Sequence, residues 1–197
     1  MLTDNQLNHF QDNGFIIIDD LSERVIPQFL CDQIDELVAA SRMKQATIGK
    51  AQFNQINTSE RGDLIHWVDP NNCDSTTTTL LQHLDEIKMD LNRAFYLGLR
   101  GFECHLTQYP IGTYYKKHVD RHKNGSARRV SVVYYLNPTW APGDGGELVI
   151  YTNDQSIRVE PVFGRLALFL SELEHEVLPT SIVRKSLTGW MLTEEII

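Results

Sequence analysis

Residues 129–137 read Arg-Val-Ser-Val-Val-Tyr-Tyr-Leu-Asn, a run of β-branched and aromatic side chains that is typical of a strand. Seven further short runs of this kind precede and follow it, separated by Gly, Pro and Asn. They occupy residues 103–109, 114–119, 147–151, 157–159, 166–170, 174–177 and 184–192. Eight short strands with turn residues between them predict a barrel or jelly roll for the second half of the chain.

The first half of the chain has helical patterns. Thr3 and Gln6 have the spacing of a capping box and Gly14 is a typical helix end, so a short helix is predicted between them. The apolar run at residues 15–18 predicts a strand. Apolar residues at helical spacing then predict an amphipathic helix that ends near Ser41.

A third helix is predicted after Thr79, with its apolar residues on one face and Gly98 at its end. The polar residues 43–79 before it are long for a connection, which favours a functional loop. Helices followed by strands indicate an α+β fold in which N-terminal helices buttress a β core. The 197 residues fit one domain, with a helical part of about 1–100 and a β core of about 101–197.

Composition and charge argue against several classes of protein. Asp and Glu number 26 against 18 Lys and Arg, and the formal net charge of −8 disfavours a broad nucleic-acid surface. Three cysteines without CxxC spacing argue against a disulfide framework and a zinc knuckle. No apolar run approaches the roughly 20 residues of a membrane helix, and the first residues lack a signal-peptide profile. We therefore expect a cytoplasmic protein without a membrane or nucleic-acid partner.

A candidate metal site begins with His118 and Asp120, which lie two residues apart in a predicted strand and so share one face. His175 lies in a later strand of the same core. Two imidazoles and one carboxylate that leave three positions open are the ligand set of non-haem Fe(II) oxygenases, whereas zinc favours other sets. The alternative is a strand with solvated polar side chains, because an isolated His-x-Asp is weak as a signal.

Arg184 follows His175 by nine residues, and strand alternation places it on one face with Ser186, Thr188 and Trp190. A guanidinium held inside a barrel can bind a carboxylate through two charge-assisted hydrogen bonds. Beside an iron site it predicts a dicarboxylate co-substrate that contacts the metal at one end and Arg184 at the other. A structural salt bridge to an internal acid is the alternative.

Several motifs occur in the order found in one known family. They are Arg-Gly-Asp-Leu-Ile-His-Trp at 61–67, Tyr109-Pro110, His118-Val119-Asp120, Val-Tyr-Tyr-Leu-Asn at 133–137, Gly-Gly-Glu-Leu at 145–148, His175-Glu176-Val177 and residues 184–190. Together they resemble the prolyl 4-hydroxylase branch of the Fe(II)/2-oxoglutarate dioxygenases, in particular the hypoxia-inducible-factor prolyl hydroxylases and their bacterial relatives. The resemblance extends from about residue 61 to residue 190.

The resemblance implies a double-stranded β-helix that holds Fe(II) through His118, Asp120 and His175. It implies that 2-oxoglutarate chelates the iron and that its far carboxylate meets protein side chains, which are Arg184, Tyr135, Tyr109 and Thr188. The family reaction consumes O2, releases succinate and CO2 and hydroxylates a substrate C–H bond. No side chain is expected to act as a separate acid or base, and ascorbate dependence is a family expectation.

By the same resemblance, Arg61, Asp63 and Trp67 belong to a loop that covers the substrate; a tryptophan that plugs the barrel rim is the alternative for Trp67. Arg128 or Arg129 is expected to pair with Asp63 and hold this loop. The other histidines are expected to be ordinary surface or hydrogen-bonded residues, namely His9, His66, His83, His105 and His122.

The predicted reaction is hydroxylation of a prolyl residue in a protein or peptide. The alternatives are a hydroxylase of a free amino acid or other small molecule, a non-catalytic iron or 2-oxoglutarate sensor, and a nucleic-acid demethylase, which the charge disfavours. The chain ends at Ile197, so we expect it to lack the C-terminal helix with which the animal relatives bind peptide. Substrate recognition is then expected from residues 43–79 and the mouth of the barrel.

Overall fold

The computed structural model describes residues 2–47, 57, 59–121 and 126–195. Three helices lie within these ranges: α1 (Asp4–Asn13), α2 (Val25–Ala39) and α3 (Ser75–Phe95). The strands are β1 (Phe15–Ile18), β2 (Lys44–Gln45), β3 (Leu64–Trp67), β4 (Gly101–Tyr109), β5 (Tyr115–His118), β6 (Arg128–Tyr135), β7 (Leu148–Tyr151), β8 (Ser156–Val159), β9 (Leu166–Leu170), β10 (Glu174–Val177) and β11 (Arg184–Leu192).

The strands form two antiparallel sheets. The large sheet has the order β1-β9-β6-β11-β4-β3-β2, and the small sheet has the order β5-β10-β7-β8. All eight strands predicted for the second half of the chain are present as β4 to β11, and the predicted first strand is β1. The predicted α+β fold is therefore confirmed, with all three described helices in the first half of the sequence and β4 to β11 after them.

The large sheet buries both of its faces, as the strand period of two allows. On β6, Val130, Val132 and Tyr134 belong to the core that packs against the three helices. The alternate residues Val133 and Tyr135 belong to a second core, which also contains side chains of β7 and β10 from the small sheet. The helices thus pack against one face of the large sheet, and the small sheet packs against the opposite face.

The predicted boundaries of the first two helices are close to those observed. Thr3 and Gln6 form the capping box in both directions, and Gly14 ends α1 in the left-handed conformation with φ 76°. The second helix ends at Ala39, two residues before the predicted Ser41. None of the helices in the described ranges has the length and the apolar character that crossing a membrane requires.

The predicted boundaries of α3 are wrong at both ends. The helix begins at Ser75 because the Asp74 carboxylate accepts a hydrogen bond from the Thr77 backbone N–H at 2.8 Å and caps the first turn. It ends at Phe95, and Tyr96 rather than Gly98 has the left-handed conformation after it, with φ 52°. The Ser-Thr-rich first turn has no apolar periodicity, so the apolar pattern alone placed the start too late.

The long polar loop predicted at residues 43–79 is partly ordered sheet. Within it, β2 and β3 extend the edge of the large sheet, and β3 pairs with β4 so that Trp67 lies opposite His105. The same segment contains the first turn of α3. Residues 48–56 and 58, which also belong to the predicted loop, lie outside the described residues. The consequence for function is that a strand, rather than a loop, places Trp67.

A pair of substitutions on α3 tests the helix-facing core. Leu84 is 1% exposed, whereas Met89 on the same helix is 53% exposed. We expect Leu84→Ala to lower the free energy of unfolding by about 2–5 kcal/mol, because it leaves a cavity, and Met89→Ala to change it by less than about 0.5 kcal/mol. Urea denaturation followed by circular dichroism measures both, and equal effects would contradict this assignment of the core.

Candidate active site

A cavity of about 360 Å3 lies between the two sheets. Its wall contains the three candidate metal ligands His118, Asp120 and His175. It also contains most of the other side chains singled out from the sequence, namely Arg184, Tyr109, Thr188, Arg61, Asp63, Trp67 and Arg128. Tyr135 is the exception, because it is fully buried and does not line the cavity. Folding thus brings residues from distant parts of the chain to one concave site, the usual geometry of a small-molecule site.

The three candidate metal ligands come together because β5 and β10 pair, with His175 directly opposite His118. Asp120 follows the end of β5 and lies between the two imidazoles. Its Oδ1 atom is 3.6 Å from His118 Nε2, and its Oδ2 atom is 3.4 Å from His175 Nε2. The ligand atoms of all three residues lie within 4.8 Å of one another. This is the predicted triad, with nitrogen and oxygen donors gathered around one point.

Both imidazoles are held in the orientation that metal binding requires. His118 Nδ1 is 2.7 Å from the Lys116 carbonyl oxygen, and His175 Nδ1 is 2.9 Å from the Leu173 carbonyl oxygen. A carbonyl only accepts, so each Nδ1 carries a proton, and Nε2 is the nitrogen left to bind a metal. The donor set therefore fits a divalent metal with three remaining positions for other ligands, which is the pattern of non-haem Fe(II) sites.

Asp120 is kept ionised and oriented by its neighbours. Burial acts to raise the pKa of its carboxyl, but His175 and His118 outweigh burial and bring the pKa well below its usual value. The Ser131 hydroxyl donates to Asp120 Oδ2 at 2.7 Å, and Ser131 Oγ is also 2.9 Å from Ser171 Oγ. No sequence pattern marks either serine, because β6 and the end of β9 meet Asp120 only in the folded sheet.

A second group of potential ligands lies on the helical side, where Cys31, Asp32 and Asp35 are close together. The ammonium group of Lys185 lies among them, 2.6 Å from Asp35 Oδ2 and 3.5 Å from Cys31 Sγ. A side-chain cation therefore already neutralises this group. Lys185 therefore points to the opposite face of β11 from Arg184, which lines the cavity.

Arg184 is buried at the wall of the cavity without a carboxylate partner. It is 1% exposed, and it forms no ion pair with any acid in the described part of the chain. Its Nε donates to the Gly146 carbonyl oxygen at 2.7 Å, which leaves most of its donors free. The alternative of an internal salt bridge is therefore wrong for the described acids. Because an unpaired buried charge is costly, this guanidinium fits an anionic ligand.

Two tyrosines surround this guanidinium. The Arg184 guanidinium carbon lies 5.0 Å from the ring centre of Tyr109 and 5.1 Å from that of Tyr135, within the range of cation–π contact. The Tyr135 hydroxyl is buried and has no hydrogen-bond partner among the described residues. A guanidinium without an acid partner among the described residues, beside a hydroxyl without a hydrogen-bond partner, fits the far carboxylate of a dicarboxylate ligand.

Gly146 allows Arg184 to reach this position. The sequence predicts a tight turn or bulge at Gly145-Gly146, and both residues have positive φ, 73° and 74°. A Cβ atom on Gly146 would lie 2.9 Å from Arg184 Cδ and 3.2 Å from Thr180 Cβ. A side chain at position 146 would displace the Arg184 guanidinium. It would also break the hydrogen bond that Arg184 Nε donates to the Gly146 carbonyl oxygen.

Comparisons with known proteins agree with this geometry. The family model described as "2OG-Fe(II) oxygenase superfamily" matches residues 104–192. A Pseudomonas putida prolyl-4-hydroxylase structure is 34% identical, with a TM-score of 0.86 over 95% of this chain and 97% of that chain. The chain belongs to the prolyl hydroxylase branch of the 2OG-Fe(II) oxygenase superfamily. It is an oxidoreductase that uses Fe(II), 2-oxoglutarate and O2, and its fold is the predicted jelly roll.

Two further relatives of this oxygenase come from animals. A Trichoplax adhaerens prolyl hydroxylase, solved with a hypoxia inducible factor peptide fragment, is 28% identical with a TM-score of 0.84, over 95% of this chain and 87% of that chain. Human prolyl hydroxylase EGLN3 is 28% identical over 193 residues, which are 92% of this chain and 80% of the relative. The similarity therefore extends well beyond residues 104–192 and includes the N-terminal helices.

The ion pair that Asp63 forms at the cavity differs from the one predicted from the sequence. Asp63 pairs with Arg61, whose Nε donates to Asp63 Oδ1 at 2.7 Å while Nη2 donates to Oδ2. Arg128 instead pairs with Glu103 at 2.8 Å, and Arg129 lies near Glu172. The expected Arg128–Asp63 or Arg129–Asp63 contact is therefore wrong. Arg61 is two residues from Asp63, so the pair is local and needs no partner from β6.

His105 is a cavity residue of the oxygenase that the sequence analysis assigned to no role. It is 3% exposed, lies on β4 and lines the cavity. Its ring centre is 5.0 Å from Trp67 and 5.5 Å from Trp190, and the Arg128 guanidinium lies 3.4 Å above the Trp190 ring. Alternation in the strand predicted at residues 103–109 places His105 on the same face as Tyr109. This pattern was the sequence signal that could have identified His105 as a cavity residue.

Burial of His105 predicts a pH dependence of stability. Burial lowers its pKa from 6.5 to about 4, with Arg61 and Arg128 acting in the same direction and Asp63 opposing. The unfolded chain takes up a proton here below pH 6.5 while the folded enzyme resists it until about pH 4. The contribution of His105 to the free energy of unfolding should therefore fall by about 3 kcal/mol as the pH drops through this window.

The variant His105→Phe tests this expectation, because it keeps an aromatic ring and removes the titrating group. Urea denaturation between pH 6.5 and pH 4 should show a shallower loss of stability than in the wild type. His9→Phe, a substitution at an exposed position on α1, is the control and should keep the wild-type slope. Identical slopes for His105→Phe and the wild type would contradict the buried neutral histidine.

Proposed function

We propose that this enzyme hydroxylates a prolyl residue in a protein or peptide, and that His118, Asp120 and His175 hold its Fe(II). The bound metal, 2-oxoglutarate and O2 supply the oxidising chemistry, and succinate and CO2 are the other products. The observation that carries the proposal is the buried Arg184, unpaired among the described acids, on the wall of the same cavity as the three ligand side chains. A metal site and an anion site in one cavity are what a co-substrate with two carboxylates requires.

Arg184 is proposed to bind the far carboxylate of 2-oxoglutarate, with Thr188, Tyr109 and Tyr135 around it. Support comes from their positions, because Thr188 and Tyr109 line the cavity and the Tyr135 hydroxyl is buried without a partner among the described residues. These side chains bind and orient the anion and keep water from it, so the protein contributes geometry rather than a proton-transferring group. Ascorbate dependence stays a family expectation.

A protein substrate is supported by the side of the cavity that meets solvent. Trp67 is 49% exposed and borders the cavity, so its ring offers an apolar surface on which a prolyl ring can pack. The Arg61–Asp63 pair lies on the same wall, and the Arg61 guanidinium lies 4.4 Å from the Tyr115 ring centre. We propose Arg61, Asp63, Trp67 and Arg128 as the residues that surround the substrate.

We also infer that residues 1–197 fold as one dioxygenase domain. The Pseudomonas putida structure supports this, because it matches 95% of this chain while the chain covers 97% of that structure. The helix-facing core contains residues from all three helices and from β4, β6, β9 and β11, so the described helices share their core with the large sheet.

The test is oxygen incorporation into proline. The purified enzyme is incubated with Fe(II), 2-oxoglutarate and isotopically labelled O2, once with desalted cell proteins and once with the small-molecule fraction. We expect one labelled oxygen atom on a proline of a protein, absent with His118→Ala. Label found only in the small-molecule fraction would contradict the protein substrate, and a lack of any conversion of 2-oxoglutarate would contradict the enzymatic role.

A further inference from the structure

The two sheets hold different members of the proposed metal triad. His118 and His175 lie in β5 and β10 of the small sheet. Asp120 follows β5, but its backbone N–H donates to the carbonyl oxygen of Ser171 at 3.1 Å, directly after β9 of the large sheet. Its side chain also contacts the large sheet, because the Ser131 hydroxyl on β6 donates to Oδ2 at 2.7 Å. The carboxylate is thus held by the large sheet and the two imidazoles by the small sheet.

The carboxylate determines the direction of both hydroxyl hydrogen bonds near it. An ionised carboxyl group has no proton and only accepts, so Ser131 must donate its single hydroxyl proton to Asp120 Oδ2. Ser131 Oγ is also 2.9 Å from Ser171 Oγ, and with its proton already used it can only accept in that contact. Ser171 is therefore the donor to Ser131, and Ser131 is the donor to Asp120.

The Ser131 hydroxyl fixes an orientation that the Asp120 side chain does not fix by itself. The terminal torsion of an aspartate has a broad minimum, so a carboxylate without a partner rotates over a wide range. Among the described residues, Ser131 is the only one whose hydroxyl donates to Asp120, and it is 1% exposed. With this hydrogen bond, Oδ1 lies 3.6 Å from His118 Nε2 and Oδ2 lies 3.4 Å from His175 Nε2. The carboxylate thus faces both imidazoles.

We propose that Ser131 is a positioning residue of the metal site, whose hydrogen bond holds the Asp120 carboxylate between the two imidazoles and so raises the affinity for a divalent metal. A carboxylate has two oxygens, so Asp120 can keep this hydrogen bond at Oδ2 and still offer Oδ1 to a metal ion. Without the hydrogen bond, metal binding would have to include the cost of ordering the carboxylate. The inference rests on the proposed binding of Fe(II) by His118, Asp120 and His175, and it adds a residue of β6 that lies outside this triad.

The test compares two substitutions of Ser131 that differ in one hydroxyl group. Valine and threonine have nearly the same shape, so Ser131→Val and Ser131→Thr introduce the same bulk, and only threonine can donate to Asp120. Affinity for Mn(II) is measured on the full chain by following the electron paramagnetic resonance signal of free Mn(II). We expect Ser131→Val to bind Mn(II) about 10–100-fold more weakly than the wild type, and Ser131→Thr to remain within about threefold. Equal affinities of these two variants would overturn the proposal.

Ser171→Ala is the matched control, because it removes the neighbouring buried hydroxyl group and keeps the backbone carbonyl that accepts from Asp120. Ser131 can still donate to Asp120 Oδ2 in this variant, so we expect the affinity for Mn(II) to stay within about threefold of the wild type. A loss as large as that in Ser131→Val would mean that any disturbance of these buried serines weakens metal binding. That result would overturn the specific role of Ser131.

A further variant keeps the test decisive if circular dichroism shows that Ser131→Val does not fold. The thiol in Ser131→Cys is close in size to the hydroxyl group and is a weak donor, so the affinity for Mn(II) should fall by at least about fivefold, and wild-type affinity would overturn the proposal. Failure of the triad itself gives a different result, because the wild type and Asp120→Ala would then bind Mn(II) equally. Binding that depends on Asp120 but is unchanged in the Ser131 variants overturns only the role of Ser131.

Discussion

Asp120→Ala is expected to lower the affinity for Fe(II) by at least about 100-fold, because loss of a residue that merely supports a metal ligand already costs 10–100-fold. The carboxylate lies 3.6 Å from His118 Nε2 and 3.4 Å from His175 Nε2, and it supplies the only negative charge of the proposed triad. Conversion of 2-oxoglutarate to succinate should fall by about 1000-fold or more, a change of about 4 kcal/mol in the barrier.

Metal-dependent stabilisation reports this loss without reference to activity. At a metal concentration 100 times its dissociation constant, binding stabilises a folded protein by about 2.7 kcal/mol. Mn(II) should therefore raise the melting temperature of the wild type but not that of Asp120→Ala. Asp154→Ala, which removes an exposed carboxylate between β7 and β8, is the matched control and should respond as the wild type does. Equal metal responses in both variants would refute the triad.

The second large effect is expected at Arg184. Arg184→Met keeps the length of the side chain and removes the charge, so 2-oxoglutarate should bind at least about 100-fold more weakly, as loss of charge-assisted hydrogen bonds predicts. The weaker binding should appear as a higher KM with a smaller change in kcat, because the far carboxylate is held equally before and during the reaction. Arg184→Lys should recover part of the affinity, since it restores a charge but not the planar fork.

Lys185→Met is the matched control for Arg184→Met. The two residues are neighbours on β11, but Lys185 faces α2 and pairs with Asp35, whereas Arg184 lines the cavity. We expect Lys185→Met to leave the affinity for 2-oxoglutarate within about twofold. The substitution removes only the ion pair with Asp35, whose side chain is exposed to solvent. If both variants weakened 2-oxoglutarate binding equally, the effect would come from disturbance of β11 and not from the guanidinium.

Patterns of short range account for the parts of the fold that were predicted correctly. Alternation of side chains and turn residues located all eight strands from β4 to β11, and cap residues located α1. Errors arose where the deciding contact lies outside the apolar pattern. Asp74 starts α3 through a hydrogen bond to a backbone N–H, and β3 exists because it pairs with β4 across about 40 residues of sequence.

The active site likewise combines residues that short-range patterns predicted with residues that only long-range contacts reveal. Spacing and motif order singled out His118, Asp120, His175 and Arg184, and the structure places all four on one cavity wall. The sequence predicted no specific role for His105, because the function of a histidine in a strand depends on the side chains that surround it in the fold. Those neighbours, Trp67, Thr107 and Trp190, come from three strands, and only one of them is on the same strand.

The strand faces, the ligand types and the order of the motifs could be read from the amino-acid sequence alone, because they depend on a period of two residues and on side-chain chemistry. Contacts in the folded protein were needed to establish that Arg184 has no acid partner among the described residues, that Asp63 pairs with Arg61, and that three hydroxyl groups lie between His105 and Arg184. The physical reason is that charge pairing and hydrogen-bond direction depend on distances of a few ångströms between residues far apart in the chain. Those distances are set by sheet register and by the packing of the two sheets.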